Sequence, residues 1–175
     1  MSARAHLDAL FAKADAFFER VDTMYPTELA CRSGCHDCCA PGLTVTAVEA
    51  AAIRAWLEAH PARADRAERP DRCAALGADG RCTIYPVRPL VCRTHGVPIK
   101  LSPEPGRRSL PVLDVCSKNF KGHSLEALDV RAVLDQRTLS TILAAIDAAS
   151  GAERGDATCA RVALDDLFAR ATPAT

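Results

Sequence analysis

The sequence predicts a mainly α fold: a small helical domain with irregular cysteine-rich loops and little or no sheet. Three observations lead there. Apolar residues recur at three- and four-residue steps near both ends of the chain. Eight of the nine cysteines fall between residues 31 and 116, in turn-rich sequence. The length, 175 residues, suits one domain. The expected organisation is a single domain over 1–175, with an N-terminal helix in 1–25, a cysteine-cluster region in 26–123 and C-terminal helices in 124–175.

The first helix is expected over residues 3–22. Leu7, Leu10, Phe11, Ala14, Phe18 and Val21 share one face, Ser2 caps the start and Pro26 lies beyond the end. Thr46 and Glu49 in "TAVE" have the form of a capping box, so a second helix should run from there to about His60, before Pro61. Its stripe is Val48, Ala52, Trp56 and Ala59, with Ile53 and Leu57 beside it. Residues 61–72 are charged and hold two prolines, which reads as an exposed loop. Asp79-Gly80 is a turn signal, with "CTIY" a candidate short strand after it. Residues 98–111 carry four prolines and a glycine and read as an irregular loop. Ser124 is expected to cap a long helix to about Ala149, ended by Gly151, and a last helix is expected over 158–171.

Net charge and the N-terminus exclude several classes. The formal net charge is zero, so nothing global favours nucleic acid or an anionic membrane. From Arg81 to Arg108 six basic residues face only Glu104, but Tyr85 is the only aromatic there for stacking bases. Charged residues interrupt the N-terminal apolar positions, so no signal peptide is read, and no run nears the roughly 18 apolar residues of a membrane span. The expected compartment is the cytoplasm, where thiols stay reduced.

Nine reduced cysteines, an odd number, point to metal rather than a disulfide framework. "CRSGCHDCC" places Cys31, Cys35, Cys38 and Cys39 within nine residues. Ser33-Gly34 lets that loop turn back, so Cys31, Cys35 and Cys38 can converge while Cys39 points elsewhere. Cys73, Cys82, Cys92 and Cys116 complete an eight-cysteine ligand set, since thiolates suit soft metals. The basic residues of 81–108 would offset the excess negative charge of such a site. Cys159 lies in a helical apolar pattern and is expected to be a small buried residue outside the set. His36 and His95 lie near the cysteines and are assigned supporting or surface roles. His6, His60 and His123 belong to no constellation.

These residues resemble a known family. "CRSGCHDCC", then Cys73 with Leu76, Cys82 before Ile84-Tyr85, Arg88-Pro89 with Cys92, and the late Cys116 match the order found in YkgJ-type cysteine-cluster proteins, the zinc- or iron-chelating CxxCxxCC domain. The resemblance spans about residues 28–118. It implies metal binding, through an iron–sulfur cluster, [4Fe–4S], or Zn2+, and no particular reaction. The resulting expectation is an iron–sulfur protein with a redox or partner-docking role. The alternative is a structural zinc module with one or two four-cysteine sites and no catalytic activity. An unidentified protein partner fits either. The spacing C-x3-C-x2-C also occurs in radical-SAM enzymes, but this chain is too short and too helical for their barrel. Similar cysteines occur in flagellin lysine methylases, yet no glycine-rich nucleotide loop follows a strand here, and no Ser-His-Asp pattern is evident. Beyond the ligand cysteines, no catalytic constellation is visible.

Overall fold

A computed structural model describes residues 2–61, 71–102, 110–155 and 160–169. The chain is mainly helical, with about 50% of residues in helices and 10% in sheet. It forms two compact units from interleaved segments. The first takes Met1–Leu7, Ser33–Pro89 and Ile146–Thr175; the second takes Asp8–Arg32 and Leu90–Ala145.

In the first unit, helix α2 (Ala47–Ala59) starts as its sequence dictates. Thr46 takes an extended backbone and accepts from the Glu49 N–H, while the Glu49 carboxylate accepts from the Thr46 N–H at 3.0 Å. A second carboxylate, buried Asp147, accepts from the Val48 N–H at 2.8 Å. Two anions thus satisfy donors that a helix start leaves open, where the helix dipole favours negative charge. At the other end the His60 N–H returns to the Leu57 carbonyl, and Pro61 follows. The buried side of α2 is Val48, Glu49, Ala50, Ala52, Ile53 and Leu57. Trp56 is only half-buried, with its indole N–H on the Thr83 carbonyl at 3.3 Å, and Ala59 is exposed.

Ile53 and Leu57 enter a core with Val45, Ala74, Ala75, Ile84, Val87, Leu164, Leu167 and Phe168. Cys73 and Cys82 pack against this core as partly buried neighbours. The unit is closed by a two-stranded antiparallel ribbon, β1 (Thr44–Val45) with β5 (Val162–Ala163), from which α5 (Leu164–Ala169) leads on.

In the second unit, residues 8–24 of α1 (Ala3–Met24) present the expected apolar face: Leu10, Phe11, Ala14 and Val21 are buried and Phe18 is half-buried. At the start of α1, which lies in the first unit, the Ser2 hydroxyl accepts from the Ala5 N–H at 3.3 Å. Val21 joins Leu29, Val97, Phe120, Ala132 and Leu134 in a separate core. A three-stranded sheet flanks it. Its central β2 (Ile99–Leu101) pairs antiparallel with β3 (Val112–Asp114) and parallel with β4 (Leu134–Asp135). The short helix α3 (Leu90–Thr94) buries Arg93, whose guanidinium pairs with Asp15 and lies over the Phe11 ring.

The mainly α expectation holds with a small amount of sheet in these five short strands, and the C-terminal third departs from its expected elements. The helix expected from Ser124 begins only at Gln136, as α4 (Gln136–Arg154). The Ser124 hydroxyl donates to Glu126 instead of capping. Two 3-10 turns follow, Leu125–Ala127 and Val130–Ala132. Then β4 pairs with β2, and the Asp135 carboxylate caps α4 by accepting from the Thr138 N–H at 3.0 Å. Strand pairing between distant segments overrides local helical periodicity here. Gly151 lies inside α4; the helix ends at Gly155, whose φ of +68° suits glycine. The expected start of the last helix, at 158, lies outside the described residues; among those, 162–163 pair with β1 and α5 starts at Leu164. The "CTIY" strand reduces to one bridge, Leu76 with Cys82, followed by a 3-10 turn, Tyr85–Val87. The loop 98–111 contains β2 at 99–101. Most of the charged 61–72 loop, and Cys159, lie outside the described residues.

Replacing Thr46 by Ala removes one side of the capping box and is expected to cost about 1 kcal/mol. Urea denaturation measures it; an unchanged midpoint would show that Asp147 alone secures this helix start.

Candidate metal centre

The eight predicted ligands divide between the units. Cys35, Cys38, Cys39, Cys73 and Cys82 lie in the first; Cys31, Cys92 and Cys116 lie in the second. None of these eight is in a disulfide.

In the first unit, the loop carrying Cys35 to Cys39 turns at Gly34, whose φ is +90°. The Cys39 N–H donates to the His36 carbonyl and the Ala40 N–H to the Cys38 carbonyl, each at 2.9 Å. The loop is fastened to the next cysteine segment by the Cys73 N–H on the Cys39 carbonyl at 3.0 Å. His36 supports the loop: its Nδ1 lies 3.1 Å from the Arg72 guanidinium, and Gly80 passes close to its ring.

Cys73 and Cys82 use one local device twice. The Cys73 carbonyl accepts from the Leu76 N–H at 3.0 Å, and the Cys73 sulfur accepts from the Ala75 N–H. The Cys82 carbonyl accepts from the Tyr85 N–H at 3.4 Å, and the Cys82 sulfur accepts from the Ile84 N–H. The Leu76–Cys82 bridge and the Thr83 N–H on the Ala75 carbonyl, at 2.8 Å, set the two turns side by side. The turn between them closes at Asp79-Gly80 as the sequence predicts, with Gly80 at φ +75°. Backbone N–H donors aimed at sulfur favour thiolate over thiol.

These thiols share one electrostatic neighbourhood. The hydrogen bond with Cys38, then burial, then the charges of Cys38, Cys73 and Cys82 push the Cys39 thiol far above its usual range. Burial pushes Cys73 up, against the Ala75 N–H, with Asp165 and Cys38 adding to the rise. Burial also raises Cys82, together with Cys73, while the Ile84 N–H and the Arg88 guanidinium act the other way. Four neighbouring sulfurs resist accumulating negative charge, which a soft cation would neutralise. That donor chemistry fits a thiolate-bound metal. Among the described residues no three His, Cys, Asp or Glu side chains are gathered tightly enough to hold an ion as they stand.

In the second unit, buried Asn119 accepts from the Ala30 N–H at 2.8 Å and donates to the Gly96 carbonyl at 2.6 Å and to the Cys31 sulfur at 3.4 Å. Gly96 has φ +104°, and a Cβ there would stand 2.6 Å from the Cys31 sulfur. Cys92 is exposed on α3, and Cys116 is half-buried. Sequence reasoning missed both Asn119 and Gly96. The available signals were a glycine four residues after Cys92 and the chain's only asparagine three after Cys116. The basic segment also divides: Arg88 acts on Cys82, whereas Arg93 is committed to Asp15 and Phe11.

Two outcomes follow. Gly96→Ala meets the Cys31 sulfur and takes an unfavourable φ, costing roughly 1–3 kcal/mol, read as a lowered melting temperature. In chelator-treated protein, Cys39, Cys73 and Cys82 ionise in the unfolded chain before the folded one. The stability this confers is full below their ordinary value of 9.0 and is lost as pH rises beyond it. Urea midpoints across that range read this fall, and a flat profile would contradict it.

No match is found among curated proteins or among solved structures. Residues 30–105 match the model of a family, CxxCxxCC, described as a putative zinc- or iron-chelating domain. The match covers less than half of the chain; it includes seven of the eight assigned cysteines and ends before Cys116. Among the described residues no helix is long and apolar enough to cross a membrane. Over residues 30–105 the chain is therefore similar to the CxxCxxCC family, and that similarity supports metal binding by this cysteine-rich region.

Proposed function

We propose that the chain carries an iron–sulfur cluster of the [4Fe–4S] type at the edge of the first unit, in a redox role toward a protein partner in the reducing cytoplasm. The observation that carries this reading is the group of Cys38, Cys39, Cys73 and Cys82, with amide donors already on two of the sulfurs. When bound, a cluster supplies one-electron chemistry at a potential set by its surroundings. The residues of this chain set those surroundings. The Ala75 and Ile84 N–H groups and Arg88 offset thiolate charge, and Arg72 holds His36 beside the loop. Cys73 and Cys82 sit at the rim of an apolar core, while Cys38 is exposed. Two of the thiols are thus backed by the core, and one reaches the surface, where a partner docks.

The second reading is a structural zinc site. The hydrogen bond between the Cys38 and Cys39 thiols favours it, because two ligands of one tetrahedral ion stand that close. Anaerobic purification followed by iron, sulfide and zinc analysis separates the two. The expected result is iron and sulfide in equal amounts, with a visible absorption band bleached by dithionite. Stoichiometric zinc without iron or sulfide, from anaerobic cells, overturns it in favour of zinc.

Cys38→Ser or Cys73→Ser is expected to lose most of the metal and to lower the melting temperature, since binding and folding are linked. Cys159→Ser is expected to keep the full metal content. Metal analysis of the three variants checks this, and loss of metal from Cys159→Ser would redraw the ligand set.

A further inference from the structure

In the first unit one side chain touches both segments that carry the grouped cysteines. His36 follows Cys35 and is half-buried. Its carbonyl accepts from the Cys39 N–H at 2.9 Å and so closes the turn that holds Cys38 and Cys39. Its ring reaches from that turn to the segment of Cys73 and Cys82. There Nδ1 lies 3.1 Å from a terminal nitrogen of Arg72, the residue before Cys73. The Cδ2 edge of the ring lies over Gly80, where a Cβ would stand 3.3 Å from Cδ2 and 3.7 Å from Nε2.

Donor chemistry fixes how this ring is used. A guanidinium has N–H donors and no acceptor, so the Nδ1 it faces is the unprotonated nitrogen and the ring proton sits on Nε2. Arg72 also has the Asp71 carboxylate 3.5 Å from its Nε. Gly80 belongs to the turn that leads to Cys82: its N–H donates to the Gly77 carbonyl at 3.0 Å, and the Gly77 N–H donates to the Arg81 carbonyl at 2.8 Å. The Cys73 N–H on the Cys39 carbonyl is a second link between the two cysteine segments. Two links a few residues apart fix the rotation of one segment against the other, which a single hydrogen bond leaves free.

We propose that His36 is a positioning residue and not a metal ligand: it latches the loop 35–39 to the hairpin 73–82 through Arg72 and Gly80. The proposal deepens the function proposed above and rests on its reading that the cysteines of this unit hold metal. The sulfurs of Cys38 and Cys39 come from one side of the latch and those of Cys73 and Cys82 from the other, and all four already bear on one another. A ligand set drawn from two segments keeps its geometry only while the segments hold their register. Nδ1 faces the Arg72 guanidinium and Nε2 carries the proton, so neither nitrogen offers a lone pair to an ion. Residues that orient metal ligands from outside contribute about 10–100-fold to metal affinity.

The test compares His36→Leu with His36→Asn in anaerobically purified protein, with metal release to a chelator as the readout. Leucine removes the acceptor, whereas asparagine sets an amide oxygen near the place of Nδ1. Release from His36→Leu is expected about 10-fold faster than from the parent chain, and release from His36→Asn close to the parent rate. In an Arg72→Met background, His36→Leu is expected to add nothing further, because the latch is already open. An equal acceleration in that background marks a role apart from Arg72 and overturns the proposal. Equally fast release from both His36 variants marks a lost ligand and overturns it too. Parent-like release from His36→Leu overturns it as well, while leaving the metal reading intact. If the parent chain itself holds no metal, the metal reading falls, and NMR of the His36 ring nitrogens in the folded chain decides the latch. The same measurement decides if His36→Leu fails to fold. A bare Nδ1 and a protonated Nε2 are expected; a proton on Nδ1, or a metal on either nitrogen of zinc-loaded protein, overturns the proposal.

Discussion

Negative charge on crowded sulfur is the constraint around which the cysteine segments of the first unit are arranged. A thiolate is a strong metal ligand and a poor neighbour for another thiolate. In the first unit Cys39 carries the largest penalty, since the thiols of Cys38, Cys73 and Cys82 all bear on it. The offset there comes from backbone amides at Ala75 and Ile84, with Arg88 the one guanidinium acting on Cys82. In the second unit a side-chain amide, that of Asn119, serves the Cys31 sulfur. Backbone and side-chain amides are suited to this work because they supply positive dipoles without a full charge to desolvate.

Burial divides the basic residues along the same line. Arg93 neighbours Cys92 in sequence, yet its guanidinium is buried against Asp15 and Phe11. A buried arginine needs a carboxylate partner, and Asp15 supplies it. Arg88 stacks on the exposed Tyr85 ring, 4.1 Å from its centroid, and stays close enough to Cys82 to ease its ionisation.

What the sequence revealed was local. The face of α1 and the Thr46–Glu49 box were legible because partners three or four residues apart specify them. Cysteine spacing likewise made the resemblance legible, and seven of the eight expected ligand cysteines fall within the family match. The start of α4 was hidden because β4 pairs with β2, a segment distant in sequence, and that pairing decides what residues 124–135 become. The roles of Gly96 and Asn119 were hidden for the same reason: each acts on Cys31, a residue its own neighbours do not indicate.

The interleaving of segments fixes an order of assembly. Synthesis delivers residues 8–32 and 90–145 before it delivers residues 146–175. The core behind Cys73 and Cys82 needs Leu164, Leu167 and Phe168, and the β1 strand needs β5. Until those residues are made, Cys73 and Cys82 lack part of the core they pack against. That backing is complete only once Leu164, Leu167 and Phe168 of α5 join the core.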